Sequence, residues 1–192
     1  MVKRKKKMSA GKKSMSKKPK KKLLKKAKKT AKSVKRKNKI SAIPKGYNSV
    51  TPCLTINNAA QAIDFYKTVF GAKEVMRMAK PNGKIGHAEL KIGDTKIMLA
   101  DEYPEMDIRG PEAFGGTPVG IHIYIKNVDQ IVEKAVSAGA NVKRPPENMF
   151  YGDRSATLVD PYGHVWHVST HIEDVSKAQM RKRAAELFGE NS

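Results

Sequence analysis

Two stretches of this chain carry nearly the same pattern, and that repeat limits the possible folds more than any other feature. The first, CLTINNAAQAIDFYKTVFGAKE, runs from Cys53 to Glu74; the second, HIYIKNVDQIVEKAVSAGANVK, begins at His122. In the first copy SVTPCLTI is rich in β-branched residues and reads as a strand, and Asn57 or Asn58 offers an N-cap. AAQAIDFYKTVF then places Ala59, Ala62, Ile63, Tyr66 and Phe70 on one helical stripe, ended by Gly71. EVMRMA leads into a two-residue hairpin turn at Asn82-Gly83, KIGHAELKI returns, and Gly93-Asp94 turns the chain into TKIMLAD. The order is β, α, β, β, β.

The second copy keeps that order. PVGIHIYI is a strand, Asn127 or Asp129 a cap, QIVEKAVSAG a helix closed by Gly139, and NVKRP a strand interrupted by Pro145-Pro146. RSATLVD turns through PYG into HVWHVSTH. Alignment sets Cys53 against His122, Asn58 against Asn127, Gln61 against Gln130 and Asp64 against Glu133, with the helix-ending glycines one residue out of step. The Gly- and Pro-rich connection DEYPEMDIRGPEAFGGTPVG reads either as a cover over a cavity mouth or as a plain crossover. Ser176 and Gln179 form a capping box, and AQMRKRAAELF continues as a helix to Gly189 whose apolar residues suggest packing on the body or on a partner chain.

Charge divides the chain as sharply as the repeat does. Of 39 Lys and Arg, 21 lie between Met1 and Ile40, where there is no Asp or Glu; the remaining 18 meet all 18 acids. The whole net charge of +21 therefore belongs to the N-terminal segment. With almost no apolar mass to offset ordering entropy, residues 1–42 are expected to form a disordered Lys-rich tail. Lysine is a hydrated point charge suited to loose phosphate contact, and the tail has no aromatic side chain for base stacking. The expected partner is nucleic acid or another polyanion, without sequence preference, through residues such as Lys5, Lys12, Lys18, Lys21, Lys25, Lys28, Lys35 and Arg36. A thin stripe of Leu23 or Leu24, Ala27, Ala31 and Val34 allows a basic amphipathic helix on a polyanion or an anionic membrane surface. A targeting signal and an inert solubilising arm are the alternatives.

Cys53 is the only cysteine, so no internal disulfide forms, a reducing compartment is expected, and the thiol reads as packing rather than reactive. No run of about eighteen apolar residues and no apolar signal core occurs, which points to a soluble intracellular protein, cytoplasmic or nucleoid- or nucleus-associated. A Gly-rich phosphate loop, a nucleophile elbow, paired zinc cysteines and an HExxH helix are all missing from the sequence.

A tandem βαβββ repeat with AIDFYKTVFGA in its first half and DPYGHVW in its second resembles the vicinal oxygen chelate superfamily of glyoxalase I, fosfomycin and bleomycin resistance proteins and extradiol dioxygenases. IPKGYNSVTPCL, HAELKIGD, MLADEYPEM, GGTPV and DPYGHVWHVSTHIEDVS are similar to its PhnB-like subgroup, and the likeness runs from about Ile43 to the C-terminus. The resemblance implies an α+β fold, residues 43–175, in which two tandem βαβββ modules form a half-open cupped sheet, followed by the C-terminal helix, residues 176–192. It also implies a cavity commonly completed in a homodimer.

Metal-dependent members place His or Gln on the first strand of each half and a carboxylate on the last, and the ion polarises a substrate with adjacent oxygens. Those positions fall here on Thr51, on Ile97 or Met98, on Gly120 and on His167, with His122 two residues beyond Gly120 on the same strand face. The resemblance therefore favours no cofactor, and His122 and His167 are the only candidates for a divalent metal. Thr51, Cys53, Thr55, His122, His167 and Ser169 are expected to line the cavity, with His171 on the same face and Trp166 opposite, packed under the helices. His87 and Glu89 share a strand face and form a candidate catalytic acid/base pair, although alternation on a half-exposed strand also explains them. Tyr151, Phe150 and Arg154 stand where they can close over a ligand. The expected function is binding of an unidentified small molecule in the cavity between the modules. Two alternatives are a nucleic-acid-associated protein whose body serves dimerisation, and a metal-dependent lyase, transferase or dioxygenase.

Overall fold

The computed structural model of the protein describes residues 40–189. The tail lysines named above, with Arg36, lie outside the described residues. Module 1 consists of β1 (Cys53–Ile56), α1 (Ala59–Phe70), β2 (Lys73–Ala79), β3 (Ile85–Ile92) and β4 (Thr95–Asp101). Module 2 repeats it as β5 (Gly120–Tyr124), α2 (Val128–Ser137), β6 (Asn141–Asn148), β7 (Asp153–Val159) and β8 (Val165–His171). Each module is one four-stranded sheet, ordered β1-β4-β3-β2 and β5-β8-β7-β6, in which the first strand runs parallel to the last. The connection between modules forms two short 3-10 turns, Pro104–Met106 and Pro111–Phe114, and α3 (Lys177–Gly189) closes the described chain.

The repeat extends to individual hydrogen bonds. Asn58 and Asn127 cap α1 and α2, their side-chain oxygens accepting from the backbone N–H groups of Gln61 and Gln130. The last strand of each module meets the first residue of its helix: Asp101 accepts from the Ala59 N–H, and Thr170 from the Val128 N–H. Register agrees as well, with Cys53 beside Met98 in one sheet and His122 beside His167 in the other. This pairing selects Met98 over Ile97 as the cup-facing residue of β4, since Ile97 is buried in the core.

All five residues of the expected α1 stripe are buried, and Phe65 and Val69 widen it. The stripe reaches module 2 through aromatic contact: Tyr66 and Phe70 lie 5.3 and 4.6 Å from the ring of Trp166, which is fully buried on the core side of β8. At this junction the Asp160 carboxylate accepts from Tyr66 Oη (2.7 Å) and Trp166 Nε1 (2.8 Å). Its other oxygen accepts from the backbone N–H groups of Tyr162 (3.0 Å) and His164 (2.9 Å). Burial, reinforced by the Asp160 charge, raises the Tyr66 pKa well above the usual tyrosine value, so its hydroxyl remains a donor. His164 adds a second link by donating Nε2–H to the Thr55 carbonyl at 3.2 Å.

Several local expectations change. The β2–β3 loop holds three residues, Pro81 to Gly83, because Lys80 and Lys84 pair across its base. Pro145-Pro146 does not interrupt β6, which continues through both prolines: this is an edge strand, and irregular register around the prolines absorbs their missing donors. Cys53 is exposed, because the non-core side of β1 faces the open cup. No residue of α3 is buried; Arg183, bidentate to Glu173, and an edge-on Phe150–Phe188 contact hold it in place. Arg154 turns away from the cup to grip Asp129 on α2.

Asp160→Ala leaves two side-chain donors buried without an acceptor, and is expected to cost about 3–5 kcal/mol in chemical denaturation. Tyr66→Phe leaves Asp160 with three other donors and is expected to cost about 1–2 kcal/mol. A loss below about 1 kcal/mol for Asp160→Ala contradicts the assignment of this carboxylate as the inter-module joint.

Candidate functional site

Cross-strand pairing lays out the face of each sheet that points away from its helix. In module 2, Arg144 pairs with Thr157, Thr157 with His167 and His167 with His122, so four side chains on four strands form one row. The equivalent row of module 1 is Met76, Glu89, Met98 and Cys53. The two cups therefore share a frame and differ in chemistry.

Module 1 is occupied by its own residues. Glu89, only 6% exposed, accepts from the Tyr47 hydroxyl and from Lys96 Nζ (2.9 Å), with His87 Nε2 3.6 Å away. The Tyr47 hydrogen bond and then Lys96 hold its carboxyl below the usual glutamate range. Lys96 Nζ also sits 3.9 Å over the Tyr47 ring. His87 and Glu89 do come together, but Glu89 already anchors the segment that precedes β1. Thr51 lies just outside β1, while Cys53 and half-buried Thr55 take the cup side of that strand.

Module 2 carries a different set of side chains on the same row. His122 is exposed on β5, its ring 4.8 Å from Tyr124 and 6.2 Å from His167. Desolvation, then the nearby His167, lower the His122 pKa below the ordinary histidine value, so its ring is uncharged at neutral pH. His167 pairs through Nδ1 with Thr157 Oγ1 at 3.1 Å, which leaves Nε2 over Gly120. Ser169 is fully buried and donates to Ser155 Oγ. Farther along, His171 bridges Asp153 (2.7 Å) and Asp174 (3.0 Å), and Tyr124 donates to the other Asp153 oxygen.

A cavity of about 730 Å³ runs along the free edge of β5 between the modules. Ile121, Ile123, Phe70 and Trp166 give it apolar walls, and His122 and Tyr124 reach it from the cup. Of the six expected wall residues, only His122 lines it; the inter-module connection does not, and packs instead on Gly163 and β1.

The residues do not fit the divalent site that the resemblance implies. Of its four positions, Thr51, Met98, Gly120 and His167, only His167 is a good ligand. A Cβ at Gly120 would lie 2.4 Å from His167 Nε2, so the imidazole already fills the space of a side chain at that first-strand position. Among the described residues no group of three or more His, Cys, Asp and Glu is placed to hold a metal.

Arg144 is the site residue that sequence reading misses. Proline and irregular register hide the face it takes, and only its pairing with Thr157 reveals it. Gly120→Ala is expected to expel the His167 ring, visible as a displaced His167 resonance in NMR spectra, with about 1–3 kcal/mol lost in denaturation. An unmoved ring contradicts the close packing. Hydrogen bonds to Asp153 and then to Asp174 raise the His171 pKa. That contribution is complete below the ordinary value of 6.5 and is lost as pH rises through the raised one. The melting-temperature gap between the parent protein and His171→Gln is therefore expected to be wider near pH 5.5 than near pH 8.5.

Residues 47–168 match the family model described as Glyoxalase/Bleomycin resistance protein/Dioxygenase superfamily. Uncharacterized protein Mb0911c of Mycobacterium bovis is 37% identical over 136 residues, spanning 69% of this chain and 90% of that protein. A putative 3-demethylubiquinone-9 3-methyltransferase, PhnB protein, from Bacillus cereus shares the fold at TM-score 0.52 and 16% identity, over 64% of this chain and 99% of its own. So does the fosfomycin resistance protein FosX from Listeria monocytogenes, solved with Mn(II) and sulfate, at TM-score 0.51 and 18% identity, over 71% of this chain and 97% of its own. With two βαβββ modules, matched registers and this family match, the chain belongs to the glyoxalase/bleomycin resistance/dioxygenase superfamily.

Proposed function

We propose that this is a PhnB-like glyoxalase-fold protein that holds a small molecule at the cup of module 2 through side-chain hydrogen bonds, without a divalent metal. The observation that carries the reading is the placement of His167 over Gly120, with His122 beside it, where metal-dependent relatives place ligands. An uncharged His122 ring offers one nitrogen to accept a proton or hydrogen bond from a ligand hydroxyl, and His167 presents Nε2 along the same row. The apolar cavity beside β5 suits the hydrocarbon part of the same molecule. A second copy of the chain completes the half-open cups as a homodimer. Elemental analysis of the purified protein is expected to find less than one divalent ion per chain. A stoichiometric ion that is lost in His122→Ala and His167→Ala contradicts the reading.

Charge segregation favours a second, compatible role. The tail's 21 basic residues and absence of acids support non-specific binding to DNA or RNA, with a dimeric body presenting two tails at once. Such work places the protein in the cytoplasm, nucleoid or nucleus; among the described residues no helix is long and apolar enough to cross a membrane. Removing residues 1–40 is expected to abolish salt-sensitive retention of duplex DNA of any sequence while leaving the melting temperature of the body unchanged. Retention that survives the deletion overturns this role.

A further inference from the structure

We propose that Arg144 anchors an anion subsite, taking the carboxylate, phosphonate or phosphate end of a small ligand that lies along the row toward His167 and His122. The inference rests on the reading that the cup of module 2 holds the ligand, and adds the ligand's chemical class.

Arg144 Nε is buried and has no hydrogen-bond partner, and its one bond to a side chain is a long contact from Nη2 to Ser155 Oγ at 3.4 Å. The other strand arginines are satisfied: Arg77 on β2 is bidentate to Glu74, and Arg154 on β7 is bidentate to Asp129. Nearby acids do not serve Arg144. Asp153 is engaged by His171 and Tyr124, and among the described residues no ion pair joins Arg144 to Glu147, which stands opposite Ser155. A desolvated cationic N–H without an acceptor is costly, and a forked guanidinium matches the paired oxygens of an oxyanion.

The repeat supplies an internal control. The matching position in module 1 is Met76, so the βαβββ frame does not require a cation there. Register is irregular on both sides of Arg144, as expected where an edge strand re-aims one side chain. Arg144 and His122 stand three strand spacings apart, roughly 14 Å between backbones, with Thr157 and His167 between them as further hydrogen-bonding groups along the row.

The test uses the full chain and follows the Arg144 Nε–H resonance, assigned by its loss in Arg144→Lys, during titration with acetate, methylphosphonate, inorganic phosphate and neutral acetamide. Saturable movement with at least one oxyanion and none with acetamide is expected, and the relative affinities of the three separate carboxylate from phosphorus oxyanions. Arg144→Gln is expected to weaken that binding roughly ten- to a hundredfold. Anions collected by the tail do not move this resonance, so they do not mimic the result. An Nε–H signal that no oxyanion moves, or undiminished affinity in Arg144→Gln, overturns the subsite. If the His122 and His167 signals still respond to acetamide, the subsite fails while the small-molecule reading stands. If no probe moves any of the three residues, both fail.

Discussion

The Asp160 carboxylate fixes one module to the other. It gathers a tyrosine from α1, an indole from β8 and two backbone donors of its own turn, and it does so in the aromatic core. A buried charge is tolerated there because both oxygens are satisfied, and the same condition fixes the angle at which α1 meets module 2. β5 is an edge strand of its sheet, and the apolar cavity lies along that edge. The sequence supplies both partners: the DPYG turn carries the acceptor, and the helix stripe carries Tyr66 five residues before the Gly71 stop.

Repetition makes the fold easy to interpret and the differences between copies informative. Cap, register and strand order recur, so those features belong to the frame. Cup residues do not recur: Met76, Glu89, Met98 and Cys53 in one module stand against Arg144, Thr157, His167 and His122 in the other. One cup spends its only acid of that row on Tyr47 and Lys96, closing over its own chain. The other keeps two imidazoles and a guanidinium whose buried Nε has no hydrogen-bond partner. Similar scaffolds with dissimilar linings are the expected outcome when function resides in the site rather than the fold.

Helices, turns and module order were legible in the sequence because each rests on local chemistry: the α1 stripe, the caps at Asn58 and Asn127, and Gly71. Much of the site was not. Met98 became distinguishable from Ile97 only through pairing with Cys53, and Arg144 joined the row only through a strand whose register is irregular. The bond between Glu89 and Tyr47 spans 42 positions, and no periodic pattern announces it. Cys53 reads from the sequence both as a packing thiol and as a cup residue, because a strand pattern does not say which face stays open. For α3, periodicity promises an apolar face and does not name the partner for it.

We propose that the cup of module 2 binds through its own side chains and not through a divalent metal. FosX was solved with Mn(II), and that ion provides the direct test because it broadens NMR signals of nearby nuclei. Addition of one equivalent of Mn(II) to the full chain is predicted to leave the ring signals of His122 and His167 as sharp as those of buried His164. Selective loss of the His122 and His167 signals at that ratio contradicts the account.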